Sequence, residues 1–171
     1  MDFGHSLEGF SLKTGSGDFG GMITKGKIIQ PKRTLKKRVP GGTNMPIKTH
    51  HGWEMENLEI TVKGASIALM NLMPGRTLAS QQLVIMGAFH DEWDGGNKTF
   101  EQEIWGRTEE NDFFGEFEAE EDVEGKLDFA IARSRCSFGG DPVHYYDART
   151  GDAWIRGMDM TESIRAALGR S

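Results

Sequence analysis

Cysteine is nearly absent from this chain, with Cys136 alone among 171 residues. One thiol excludes an intrachain disulfide and a cysteine-built metal cluster, and it fits synthesis in a reducing cytosol. Long apolar runs are missing too. Stretches such as Ile67–Met73 fall far short of the ~20 residues that a bilayer crossing needs. No run of signal-peptide length follows Met1 and Asp2. A soluble protein is expected, neither membrane-spanning nor exported by that route. With 5 prolines against 23 glycines, most breaks in the chain fall to glycine.

The motifs of catalysis are missing as well. No Gly-x-Ser-x-Gly elbow exists, and Cys136 lies inside a strand pattern, where a small buried hydrophobe is the ordinary role. Gly15-Ser16-Gly17 and Gly139-Gly140 are followed by no Gly-Lys-Thr and open no helix, so they read as turns rather than phosphate cradles. His50 and His51 point to opposite faces if extended and cannot readily grip one ion; His5, His90 and His144 stand alone. The carboxylates from Glu116 to Glu124 lack the Asp-x-Asp-x-Asp-Gly order of a calcium loop. Packed so densely, they repel one another and stay solvated. The expectation is no enzyme, no metal and no cofactor.

What is present is a period of two. Leu58, Ile60 and Val62 alternate with Glu59 and Thr61, the pattern of a strand with one buried face. Gln82–His90 and Thr99–Arg107 flank Asp94-Gly95-Gly96-Asn97, a hairpin signal. Lys126–Ser137 places Leu127, Phe129 and Ile131 on one face, with Ala130 and Ala132 opposite. Val143–Asp147 and Ala153–Arg156 flank a second turn, Arg149-Thr150-Gly151-Asp152. Lys32–Val39 reads as the first arm of a hairpin broken by Pro40-Gly41-Gly42. Ser66–Leu72 predicts a helix stopped by Pro74-Gly75. A closing helix is expected after Asp159 or Thr161, with Ile164, Ala167 and Leu168 on one side and Gly169 at its end. Seven or so strands and one or two short helices predict a mainly β protein, a two-sheet sandwich or barrel. Residues 1–26, broken by seven glycines, read as a flexible arm whose Phe3, Phe10 and Phe19 are anchors for docking. Residues 27–171 are expected to form the β domain.

The net charge of −6 conceals a division. Between Lys25 and Lys63 lie nine basic residues against three acids; between Asp91 and Asp128 lie fifteen acids against three basic residues. One molecule carries both halves of an electrostatic contact. The basic stretch, Lys32, Arg33, Lys36, Lys37 and Arg38, contains no aromatic for base stacking. It reads either as solvated loop or as a subunit contact.

The order of the pieces resembles the major tail tube protein of contractile-tailed bacteriophages. The features that carry the resemblance are the Ile28–Gly42 segment, the acidic hairpin, the Glu- and Gly-rich loop Glu116–Gly125, the strand ending at Arg133–Ser137, Tyr145-Tyr146 and the terminal Ile164–Gly169 helix. It covers about Gly15 to the C-terminus. The resemblance implies a virion protein assembled in the bacterial host cytoplasm. Six copies would form each ring, with rings stacked into a tube. The implied partners are further copies of itself, the tail sheath, the baseplate and tail terminator proteins, the tape measure protein and the genomic DNA in the lumen. Lys32, Arg33, Lys36, Lys37 and Arg38 are then candidate contacts between subunits. Glu116, Glu118, Glu120, Glu121, Asp122 and Glu124 are candidates for the lumen or a ring face, where basic walls would instead bind phosphate. The arm before Gly15 and the strongly basic Lys36-Lys37-Arg38 depart from the family pattern. Two other readings remain: a monomeric β-barrel that encloses a ligand, and the tube of a phage-derived bacteriocin or type VI secretion system.

Overall fold

The computed structural model describes residues 6–15, 17–20, 22–42, 45–64, 70–72, 74–93, 95–112 and 123–169. They form two antiparallel sheets and one short helix. The large sheet runs β12 (Met158–Asp159), β11 (Asp152–Ile155), β10 (Asp141–Asp147), β9 (Glu124–Phe138), β8 (Asn97–Asp112), β7 (Gln81–His90), β1 (Ser6–Thr14) and β2 (Gly17–Asp18). A branch leaves it, because β6 (Leu58–Lys63) pairs with β9 and carries β3 (Ile23–Gly26) on its other edge. β4 (Lys32–Arg38) and β5 (Ile47–Glu54) pair only with each other. The helix α1 (Glu162–Ala167) closes the chain. The mainly β expectation holds in two open sheets; among the described residues neither closes into a barrel.

The branch arises because β9 is long enough to pair twice along one edge. Its residues from Glu124 to Phe129 face β6, and those from Arg133 to Phe138 face β10. Between the two lies a bulge. Trp105 stands opposite Arg133 and Gly106 opposite Ile131, leaving Ala132 without an opposite residue on β8. An unpaired residue bends a strand and resets which side chains point inward. Leu127, Phe129 and Ile131 face the core as expected, but past the bulge the inward positions become Ala132, Ser134 and Cys136. Ala132 therefore lies in the core rather than opposite it. A second bulge leaves Glu109 unpaired between Thr108 and Glu110 and turns Glu110 outward.

These bends fold the branch over β1 and β7, so one apolar core is shared by Leu12, Leu58, Leu83, Ile104, Leu127 and Phe129. Gly106 allows the close approach of β8 and β9 at the first bulge. A Cβ there would lie 1.9 Å from the Ala130 carbonyl oxygen and 2.7 Å from Phe129 Cε1.

The first 26 residues contribute β1 to β3. β1 pairs with β7 from Ser6 to Thr14, Leu12 is buried at 1% exposure, and the Phe19 amide donates to the Leu12 carbonyl at 2.7 Å. Their glycines mark a bulge at Gly9 and the turn between β1 and β2. Interrupted periodicity over this stretch thus reflects irregular strands. Of the expected helix Ser66–Leu72, only Met70–Leu72 lies within the described residues. The two hairpins β7–β8 and β10–β11 form where the turn residues predict them. In the second, Asp147 Oδ1 accepts the Arg149 amide at 2.9 Å and Gly151 takes φ 79°. Among the described residues no helix is long and apolar enough to cross a membrane.

Candidate assembly surfaces

The β4–β5 hairpin stands off the main sheet and buries almost nothing, with every residue of β4 except Thr34 exposed. An isolated two-stranded hairpin is marginal in water. Its root is held by charge: Lys27 Nζ donates to Glu56 Oε2 at 2.9 Å, Lys32 pairs with Glu56 Oε1, and Lys32 lies 3.9 Å from Glu54. The hydrogen bonds from Lys32 and then Lys27 draw the Glu56 carboxyl down to a pKa of about 2. Arg33 lies over the Trp53 ring at 5.3 Å. So two of the five basic candidates are engaged within the chain.

The other three, Lys36, Lys37 and Arg38, sit at the far end and make no ion pair with a described residue. Lys37 faces Lys48 directly across the hairpin, an arrangement of like charges that disfavours pairing. Leu35, Val39, Met45 and Ile47 are 48–78% exposed beside them. A strand pair that is both self-repelling and apolar is suited to an external partner.

Of the acidic candidates, Glu116, Glu118, Glu120, Glu121 and Asp122 lie outside the described residues. Glu124 opens β9 opposite Lys63, whose Nζ is 3.8 Å from its Oε1. Pairing brings together acids that no sequence motif marks. Glu59 on β6 faces Asp128 on β9, which faces Glu110 on β8, so three carboxylates form one cross-strand row on the side away from the core. Asp128 Oδ1 is buried without a hydrogen-bond partner. The row lines a cleft of about 980 Å³ together with Glu56, Asp112 and the lysines Lys25, Lys27 and Lys126. The alternation around Leu58 and Leu127 predicts that Glu59 and Asp128 point outward, but only the register places them side by side.

Behind the sheet runs a buried polar chain. Gln102 Nε2 donates to the Ile29 carbonyl at 2.7 Å and to Ser134 Oγ at 3.1 Å, and Ser134 Oγ lies 3.2 Å from His144 Nε2. With Ser134 accepting from Gln102, its hydroxyl is free to donate to the neutral imidazole. Burial pulls the His144 pKa from the ordinary 6.5 to about 4 and pushes the Cys136 thiol up to about 12. The unfolded imidazole binds its proton near pH 6.5 and the folded one only near pH 4. Stability therefore falls as the pH drops through that window, by on the order of 3 kcal/mol, and this group adds no further loss below it. His144→Gln is expected to flatten that part of the profile. Melting temperatures of both proteins from pH 7 to pH 4 test this, and parallel curves would remove His144 from the acid limit.

An open antiparallel sheet folded over one core fits the fold of a tail tube protein. The chain belongs to the family of phage tail tube protein FII, whose model matches residues 5–169. This is a family of structural components of the virion tail, and the virion is the location of this chain. The fold is shared with a chain in the cryo-electron microscopy structure of the anti-feeding prophage (AFP) baseplate, which was six-fold symmetrised. The TM-score is 0.53 at 12% identity, covering 79% of this chain and 94% of that one. No curated protein matches the sequence.

Proposed function

We propose that copies of this protein close into hexameric rings that stack as the inner tail tube within a contractile sheath and form the conduit for genome ejection. The division of charge carries this reading. The chain has a protruding hairpin whose distal cations lack ion pairs with described residues, and on its sheet a row of carboxylates that repel each other. Unlike surfaces that meet head to tail generate rings when the rotation closes and filaments when a translation is added. Lys36, Lys37 and Arg38 of one copy meet Glu59, Asp128 and Glu110 of a copy in the adjacent ring. Glu124 and the acids from Glu116 to Asp122 serve the lumen or a ring face, where negative charge keeps phosphates from binding. The tape measure protein and the DNA occupy that lumen. The sheath surrounds the tube, and the baseplate and tail terminator cap its ends. The role is structural, with no catalytic step.

The likeness to a chain of the anti-feeding prophage baseplate favours a second reading, the same tube in a phage-derived particle. Negative-stain electron microscopy of the purified protein, over a range of concentration and salt, tests the shared part. Hollow tubes with six-fold end views are expected. Particles that stay monomeric even with a baseplate seed would overturn it.

A further inference from the structure

The closing helix is built with its apolar side outward. Arg165 is clamped inward, its Nη1 2.6 Å from Asp152 Oδ1 and its Nη2 paired with Asp159, and the Thr161 amide and hydroxyl donate to Asp159 Oδ1 at 2.8 and 3.0 Å. No residue of α1 is buried. Ile164 and Leu168, one helical turn apart and so on one face, are 48% and 65% exposed, beside Met158 at 60%. Most surface helices bury their apolar stripe. This one is held by ion pairs and leaves its stripe open.

An apolar groove of about 340 Å³ lies elsewhere on the molecule. It opens between β1 and β7 on one side and β3 and β6 on the other, lined by Leu7, Phe10, Ile28, Ile85, Phe89 and Phe100. Leu7 and Ile28 are 50% and 39% exposed at its mouth. The strand order separates the two features: α1 follows β12 at one end of the large sheet, and the groove borders β1 near the other. The charges match as well. Lys27, whose Nζ is already held by Glu56, lines the groove, and Lys25, which makes no ion pair with a described residue, lies close by on β3. With Arg165 tied to Asp152 and Asp159, the charge that α1 offers outward is Glu162.

We propose that α1 of one copy docks into the β1–β7/β3–β6 groove of the next copy, with Ile164 and Leu168 as knobs, and that this is the contact that closes the ring. A knob at one end and a hole at the other make a heterologous interface, the type that propagates around a ring. The inference rests on the self-assembly proposed above.

The test places Leu7→Cys and Leu168→Cys in one chain, assembles tubes, oxidises them with copper phenanthroline and runs a non-reducing gel. A ladder of disulfide-linked oligomers, from dimer up to the closed ring, is expected from this pair and not from Leu78→Cys with Leu168→Cys. In parallel, Leu168→Glu is expected to cut tube yield at least tenfold while the melting temperature stays at the wild-type value. Tubes without the disulfide, or wild-type yield from Leu168→Glu, overturn the contact and leave self-assembly standing. Wild-type protein that forms no polymer overturns both.

Discussion

Gly106→Ala is expected to destabilise the protein by about 3 kcal/mol, lowering the melting temperature by about 10 °C for a chain of this size. The added carbon would sit 1.9 Å from a carbonyl oxygen of the neighbouring strand and 2.7 Å from the Phe129 ring. Neither can withdraw easily. Ala130 belongs to the β9 backbone, which pairs with β8 along nearly its whole length, and Phe129 is fully buried at 0% exposure. Relief requires β8 and β9 to separate at the bulge that folds the branch over the core, so the loss reaches the whole sheet. Gly9→Ala is the matched control, since nothing lies within 4 Å of a Cβ there. Thermal unfolding followed by circular dichroism reads both. Equal melting temperatures would mean that the close approach at Gly106 does not govern the fold.

Lys36→Glu with Lys37→Glu is expected to stop tube assembly while leaving the subunit folded. If these cations meet the carboxylate row of another copy, reversal turns attraction into repulsion. It would raise the critical concentration about a hundredfold or more, equivalent to roughly 3 kcal/mol per copy. Folding should not suffer. Both side chains are exposed, and Glu at position 37 would face Lys48, replacing a like-charge cross-strand pair with an opposite one worth a few tenths of a kcal/mol. The same change therefore acts in opposite directions on hairpin and polymer. Adding Glu59→Lys and Glu110→Lys to the reversed hairpin should restore part of the assembly. Tube yield by sedimentation, beside the monomer's circular dichroism, decides the matter. Normal yield from the reversed hairpin would remove these lysines from the interface.

Much of the fold could be read along the chain because its information is local. The alternation at Leu58, Ile60 and Val62 marks β6, and turn chemistry at Gly95-Gly96 and Gly151 marks two hairpins. The basic stretch was visible as composition, and its placement on a paired strand followed from Pro40-Gly41-Gly42. Other features were hidden because bulges have no strong signature. Nothing near Ala132 or Glu109 announces an extra residue, yet each one reverses which side chains face the core. β1 was hidden for the same reason, as its irregularity at Gly9 breaks the count of two.

Sequence alone determined most of the strands and turns, which depend on residues close together in the chain, and the separation of basic and acidic stretches and the likeness to tail tube proteins, which depend on the order of segments along it. Tertiary structure decided that Glu59, Glu110 and Asp128 share one row, that His144 is neutral beside Ser134, and that α1 turns Ile164 and Leu168 to the outside. Those depend on the register between strands and on an arginine clamped to Asp152 and Asp159, contacts that no local pattern announces. A period of two sets the face of each side chain, but only pairing across strands sets its neighbour.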